Sequence, residues 1–335
     1  PAPVPLHRVL RRQVGRLLRA SGLLAPVPAK KAARPTAGCR VARGTGDLVF
    51  RLPAKRLPEG ARGIVLRRRG SEPREEIRVR LGKRPAADGY AEATVARAAH
   101  RLADGRWDCY LDLGPGAKPK RLRAGLVETQ HLLSLTPPRP GADEVAQWIP
   151  YPTSDGYLAV RTWLRAGHAE VTSVVPEAGA FRVHATLHGR ARAGELCAVI
   201  ARSRKGERYE FHVMAQPLGE GDIAFELPYT LAEAHREGGH DLWDLWVVPS
   251  FGAQPVRLGR VFGDRVSRKD TDVFAAHERK TGMNGPVRLR PYLTVHNNLA
   301  LSARDLANVD GLTEADLALL RPQPAGSAGS EWRAA

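Results

Sequence analysis

The segment GRWDCYLDLGPGAKPKRLRA, residues 105–124, returns 136 positions later as DLWDLWVVPSFGAQPVRLGR, residues 241–260. Aligned without gaps over 106–122 and 242–258, seven of 17 positions are identical, where chance gives about one. The shared residues include Trp107 with Trp243, Asp108 with Asp244, Pro119 with Pro255 and Arg121 with Arg257. A second echo follows. IPYPTSDGYLAVR lies against RPYLTVHNNLALS, matching Pro150-Tyr151 to Pro291-Tyr292 and Thr153 to Thr294. Asp155-Gly156 and Asn297-Asn298 then take nearly the same place, and both pairs tolerate the positive φ of a tight hairpin. A chain that repeats strand, turn, strand and closing hairpin in order is constrained to build one unit twice. The expected bodies are residues 38–170 and 171–305.

Within each body, short alternating apolar segments are divided by Gly, Pro and Asp turns. DLVFRL, GIVLRRR, EEIRVRL, GYAEATV and RWDCYLDL are answered by AFRVHATL, ELCAVIARS, RYEFHVMA, DIAFELPY and LWDLWVV. That rhythm predicts an all-β chain of two tandem immunoglobulin-like antiparallel β sandwiches. Ahead of them, residues 1–37 place Leu6, Val9, Leu10, Val14, Leu17 and Leu18 at helical spacing opposite arginines, then run into a Pro- and Ala-rich linker. Such a basic helix either packs on the first sandwich or lies on an anionic surface. Residues 306–335 predict a short helix, with a cap-like Thr313 and Asp316 and a stop at Pro322, then a disordered tail.

The formal charge is +17 and the pI about 10.5, which favours anionic partners: a phosphate-bearing polymer or glycan, acidic lipid, or weak non-specific adsorption to nucleic acid. Only nine of the 52 basic residues are lysine, so part of this basicity reflects the arginine bias of GC-rich codons. No zinc finger, helix-turn-helix or aromatic RNA-binding signature accompanies it. Cys39, Cys109 and Cys197 have no metal-ligand spacing and read as reduced thiols. With no apolar run of membrane length and no secretory pattern, the expected location is cytoplasmic, peripheral to the inner membrane surface.

Alternation sorts the repeated strand. Trp107, Cys109 and Leu111 share one face, and Asp108, Tyr110 and Asp112 the other. The polar set marks the outside, so Trp107 and Trp243 are expected in the core. Tyr110 and Trp246 then stand outward, with Arg121 and Arg257 across their hairpins. An aromatic beside an arginine can stack on a sugar and hold an anionic substituent, which makes Tyr110, Arg121, Trp246 and Arg257 the candidate ligand-binding residues. The bland alternative is an ordinary cross-strand pair. His235 and His240 lack a third ligand. Asp270 and Asp272 in KDTD are the weak metal candidates, for a divalent ion carrying a nucleotide-sugar pyrophosphate; no cofactor is otherwise expected.

LWDLWVVPSFGAQPVRLGRVFGDRVSRKDTDVF followed by VRLRPYLTVHNNLALS resembles the β-rich regions accompanying cell-envelope polymer transferases of high-GC Gram-positive bacteria, of the glycosyltransferase and CDP-glycerol glycerophosphotransferase type. In that group a Trp-Asp-x-Trp strand, an Arg-rich hairpin strand and a Pro-Tyr-x-Thr-x-x-Asn-x-Leu ending recur. The resemblance implies a supporting role, because the catalytic domain of those enzymes has no counterpart here. The expected function is therefore a non-catalytic accessory protein that binds an anionic glycan or glycerol-phosphate-type polymer beside a membrane-associated transferase. A small transferase with an unrecognised site around Asp270 and Asp272 is the runner-up. A scaffold that self-associates through exposed sheet edges into a homo-oligomer is the third reading.

Overall fold

The computed structural model describes residues 34–83, 85–280 and 285–306. The expected N-terminal helix and C-terminal helix and tail lie outside the described residues. The first ten strands are β1 (Thr36–Val41), β2 (Leu48–Pro53), β3 (Gly63–Arg68), β4 (Glu76–Arg80), β5 (Tyr90–Val95), β6 (Gly105–Asp112), β7 (Lys120–Arg121), β8 (Arg123–Glu128), β9 (Val145–Pro152) and β10 (Leu158–Arg165). They form one sheet in the order β5-β2-β1-β8 and another in the order β4-β3-β6-β10-β9, with β7 on β6.

The next ten are β11 (Gly167–Pro176), β12 (Ala180–Gly189), β13 (Ala198–Ser203), β14 (Phe211–Gly219), β15 (Asp222–Pro228), β16 (His240–Val248), β17 (Val256–Gly259), β18 (His277–Arg279), β19 (Val287–Leu293) and β20 (Leu299–Asp305). A helical turn, α1 (Tyr229–Ala234), follows β15. These strands run β13-β14-β15-β12-β11-β17-β16-β20-β19-β18. The pairing pattern largely repeats that of the first half: β11, β12, β13, β16, β19 and β20 hold the places of β1, β2, β3, β6, β9 and β10, while β17 makes the pairings of both β7 and β8 and β18 is an added edge strand.

Two features depart from a pair of open antiparallel sandwiches. Each half contains a parallel pairing, β1 with β8 and β11 with β17. In addition, β13 pairs with β16, so seven strands of the second half close into a barrel. The reason is strand length. β14 runs nine residues, pairing β13 through Phe211–Met214 and β15 through Ala215–Gly219. Its counterpart β4 has five residues and pairs only β3, leaving a single Gly82 N–H to the Glu92 carbonyl to approach β5.

Alternation builds both cores. In β6, Trp107, Cys109 and Leu111 are buried; in β16, Trp243, Leu245 and Val247 are. Their outward neighbours Asp108, Tyr110, Asp244 and Trp246 are half-buried. All three cysteines are buried free thiols, and burial raises the Cys197 thiol to about 11, which removes its nucleophilic form at neutral pH. No helix among the described residues is long and apolar enough to cross a membrane.

The halves are joined closely, since only Ala166 separates β10 from β11. The segment after β17 reaches back, and Val261 is buried in the first core, with Phe262 and Val266 against it. Glu170 anchors this segment. Its carboxylate accepts from the Val261 and Phe262 backbone N–H groups at 2.8 and 3.3 Å and lies 2.8 Å from His168 Nε2. Arg165 Nη1 donates to His168 Nδ1 at 2.8 Å, so the proton of the neutral ring sits on Nε2 and points to Glu170.

Burial holds the His168 pKa below its ordinary 6.5, with the Glu170 hydrogen bond opposing. A His pKa that is lower in the fold means folding releases the proton. Stability is then complete above the unfolded value and declines as pH falls below about 6.5. Burial pushes His240, His277 and His296 the same way. The melting temperature is expected to drop between about pH 7.5 and about pH 5; a scan showing it constant or rising would refute this account.

Candidate anion-binding pockets

Register first delivers what alternation predicts: Tyr110 pairs Arg121, and Trp246 pairs Arg257. The side chains then behave differently in the two halves. Arg257 lies over the Trp246 ring at 4.3 Å, and Arg202 lies over the same ring at 5.1 Å. In the first half Arg67 occupies the place of Arg202 and covers Tyr110 at 4.8 Å, while Arg121 turns away to stack on Tyr157 at 4.2 Å. The aromatic rings thus support guanidinium groups, and the arginines line the open surface.

Each arginine belongs to a cluster that the sequence reading assembled only in part. Arg69, from the end of β3, donates to Asp108 through Nε at 3.2 Å and Nη2 at 2.5 Å. Arg204, from the end of β13, grips Asp244 the same way at 3.2 and 2.8 Å. These bidentate bonds raise the pKa of both arginines. Tyr151 and Thr153 complete the first pocket beside Arg106 and Arg121, and Tyr292 and Thr294 complete the second beside Arg257 and Lys269. The cavities measure about 510 and 340 Å³. Burial raises the pKa of both tyrosines, so their hydroxyls remain protonated donors at neutral pH.

The hairpin turns set the difference between the copies. Thr153 N–H bonds the Tyr157 carbonyl and Gly156 N–H the Thr153 carbonyl; Thr294, Asn298 and Asn297 make the same two bonds. Asn297, at φ +59°, therefore replaces Gly156, at φ +77°. The expected pairing of Asp155-Gly156 with Asn297-Asn298 is one residue out, and His296 stands where the first copy has Asp155. Gly259 admits this turn, because a Cβ there would lie 2.3 Å from the Asn297 carbonyl oxygen.

The exchange alters the electrostatics. Arg121 donates to Asp155 at 3.1 Å and to Asp108 at 3.0 Å, so the first pocket answers three guanidinium groups with two carboxylates. The second has one carboxylate, Asp244, for Arg204, Arg257 and Lys269. Arg257 Nη2 stays 3.8 Å from Asp244, and its buried Nη1 has no hydrogen-bond partner. Burial lowers the Arg257 pKa. The part of the Arg257 side chain that lines the cavity, 23% exposed, can donate to an incoming oxyanion.

The weak metal candidates serve another purpose. Asp272 accepts from Arg260 Nη1 at 2.7 Å and Arg268 Nη1 at 3.1 Å, with Arg265 at 4.0 Å. Three guanidinium groups occupy that carboxylate, while Asp270 is exposed on the neighbouring turn. Asp272 thus has arginines for partners and pins the loop that carries Lys269, which lines the second pocket. Among the described residues, no group of three or more His, Cys, Asp or Glu side chains is placed to hold a metal ion.

No protein-family model matches the chain, and no curated protein matches it. Among solved structures, a fragment of S. aureus TarS comprising residues 217–571 aligns at 14% identity over 58% of this chain and 56% of that one, with a TM-score of 0.27. A longer S. aureus TarS structure aligns at 13% identity over 58% and 35% of the two chains, with a TM-score of 0.25. The full extracellular region of plexin A4 aligns at 9% identity over 80% and 35%, with a TM-score of 0.18. The chain thus spans about half of the TarS fragment and about a third of the longer TarS chain. At TM-scores this low none of these likenesses bears on fold or function.

Proposed function

We propose that the chain is a non-catalytic accessory protein that binds an anionic glycan or glycerol-phosphate-type polymer through its two repeated basic pockets. In this reading residues 38–170 and 171–305 are diverged copies of one immunoglobulin-like unit, working beside a membrane-associated transferase on the cytoplasmic side. The observation that carries it is the repetition of an Asp-clamped arginine, a second arginine, a tyrosine and a threonine at equivalent strand positions in both halves. The second cavity sets one carboxylate, Asp244, against Arg204, Arg257 and Lys269, which leaves it with an excess of positive charge to offer an anion. The runner-up transferase reading rested on Asp270 and Asp272, and Asp272 is committed to arginines.

Titration of poly(glycerol phosphate) and of a neutral glucan at two salt concentrations tests the proposal. The charged polymer is expected to bind, and the neutral one to bind negligibly. Arg257→Ala should weaken binding by roughly 5- to 150-fold, the usual worth of one charged hydrogen bond. Its effect should shrink at high salt, with the melting temperature little changed. Equal binding of both polymers, or a silent Arg257→Ala, would discard the proposal.

A further inference from the structure

The two pockets are linked through one strand face. On β10, Arg161 stands in register with Arg106, which lines the first pocket. Two residues on, and so on the same face, the Trp163 indole donates to the carbonyl of His296 at 3.3 Å. His296 lines the second pocket. The Arg161 guanidinium lies 4.6 Å from the Trp163 ring centroid and pairs with Asp104 at 3.2 Å. Arg165 Nη2 fixes the same turn by donating to Asn298 Oδ1 at 2.9 Å. Electrostatics agree with this proximity. Burial lowers the His296 pKa, followed by Arg161, with Asp104 opposing and Arg106 and Arg257 adding to the effect. Cations of both halves therefore converge on His296.

We infer that the pockets are the two ends of one cationic track, and that a single linear phosphodiester chain lies across both, passing His296. This inference rests on the binding function proposed above and deepens it by naming the ligand as a polymer held at two points. The second pocket, short of carboxylates, is the principal grip; the first, where Asp155 already engages Arg121, is the weaker one. The lining also selects the polymer's chemistry. It offers the hydroxyls of Tyr151, Thr153, Tyr292 and Thr294 with the cationic groups. The outward rings of Tyr110 and Trp246 are covered by guanidinium groups. With those two outward rings already covered, a polyol phosphate is the ligand class inferred here over single-stranded nucleic acid.

Calorimetric titration of the full chain with glycerol-phosphate oligomers of increasing length tests this. Short oligomers should bind weakly and depend on Arg257 alone. Oligomers long enough to reach both pockets should gain on the order of 10²-fold in affinity through the second attachment. Arg257→Gln and Arg121→Gln should each abolish that gain, and His296→Asp, which gives the second pocket the carboxylate of the first, should reduce it. Melting curves identify any variant that misfolds. Arg106→Gln, at an exposed position, provides a second probe of the first pocket and should also cut the gain.

Three outcomes overturn the track. Affinity that stays flat with length, while each glutamine variant halves the stoichiometry, would mean two independent pockets and leave the binding function standing. Absence of binding at every length would remove both. Charge-matched single-stranded DNA that binds as tightly, with the same dependence on Arg257 and Arg121, would reassign the surface to nucleic acid.

Discussion

Trp243→Ala is expected to cost about 3–5 kcal/mol of stability, as emptying a large core site does. The Trp243 ring is fully buried, packs edge-on against Phe211 at 5.8 Å and donates from Nε1 to the Tyr209 carbonyl at 2.8 Å. It sits on β16, the strand that closes the barrel by pairing β13. The void would therefore open at the seam of the ring, where β13, β16 and β20 meet. Trp107→Ala should cost at least as much, because its Nε1 has two acceptors, the Ala103 carbonyl and Thr162 Oγ1, both at 3.1 Å. Urea unfolding midpoints check both substitutions. A shift in either variant no larger than that of an exposed aromatic-to-alanine change would contradict the core assignment.

Glu170→Ala is expected to cost about 3 kcal/mol, through the acceptors it removes rather than through volume. Three donors converge on this carboxylate: Val261 N–H, Phe262 N–H and His168 Nε2–H. Leaving buried donors unsatisfied carries most of the desolvation cost of each. Glu170→Gln, with one carbonyl oxygen for three donors, should fall between alanine and wild type. Because Glu170 fastens the segment after β17, the loss should be local before it is global. Trypsin should cut first at Arg260, Arg265 or Arg268 in the alanine variant, at temperatures where the rest of the chain resists. If cleavage and melting match the wild type, Val261 burial alone holds the segment.

Much of this architecture was readable because period-two alternation depends only on neighbouring residues. Trp107, Cys109 and Leu111 went inward and Asp108 and Tyr110 outward, as the pattern requires, and the same holds for β16. Barrel closure was not readable, because it depends on β14 outlasting β4 by four residues across a turn. The pockets were half legible. Arg121, Arg257, Tyr151, Tyr292, Thr153 and Thr294 all lay in repeated segments. Arg69 and Arg204 did not stand out, being separated from Asp108 and Asp244 by 39 and 40 positions. Setting Arg67-x-Arg69 against Arg202-x-Arg204 would have revealed them. His296 was hidden by a slip of one residue, since Asp-Gly and Asn-Asn are both plausible turn formers and only the hydrogen bonds fix the register.

The lone Ala166 between β10 and β11 has a consequence for any ligand that touches both halves. A flexible tether would let two grips wander, and the second contact would be weakened by the entropy of closing the tether. Here the peptide passes from one sheet to the next in a single step, with the Arg165–Asn298 and Trp163–His296 bonds bracing the crossing. The assembly behaves as a caliper with its jaws locked. If the proposed polymer binds, such a frame would reward chains whose charge spacing matches the fixed gap, and discrimination among repeat lengths would come from the backbone rather than from any one side chain.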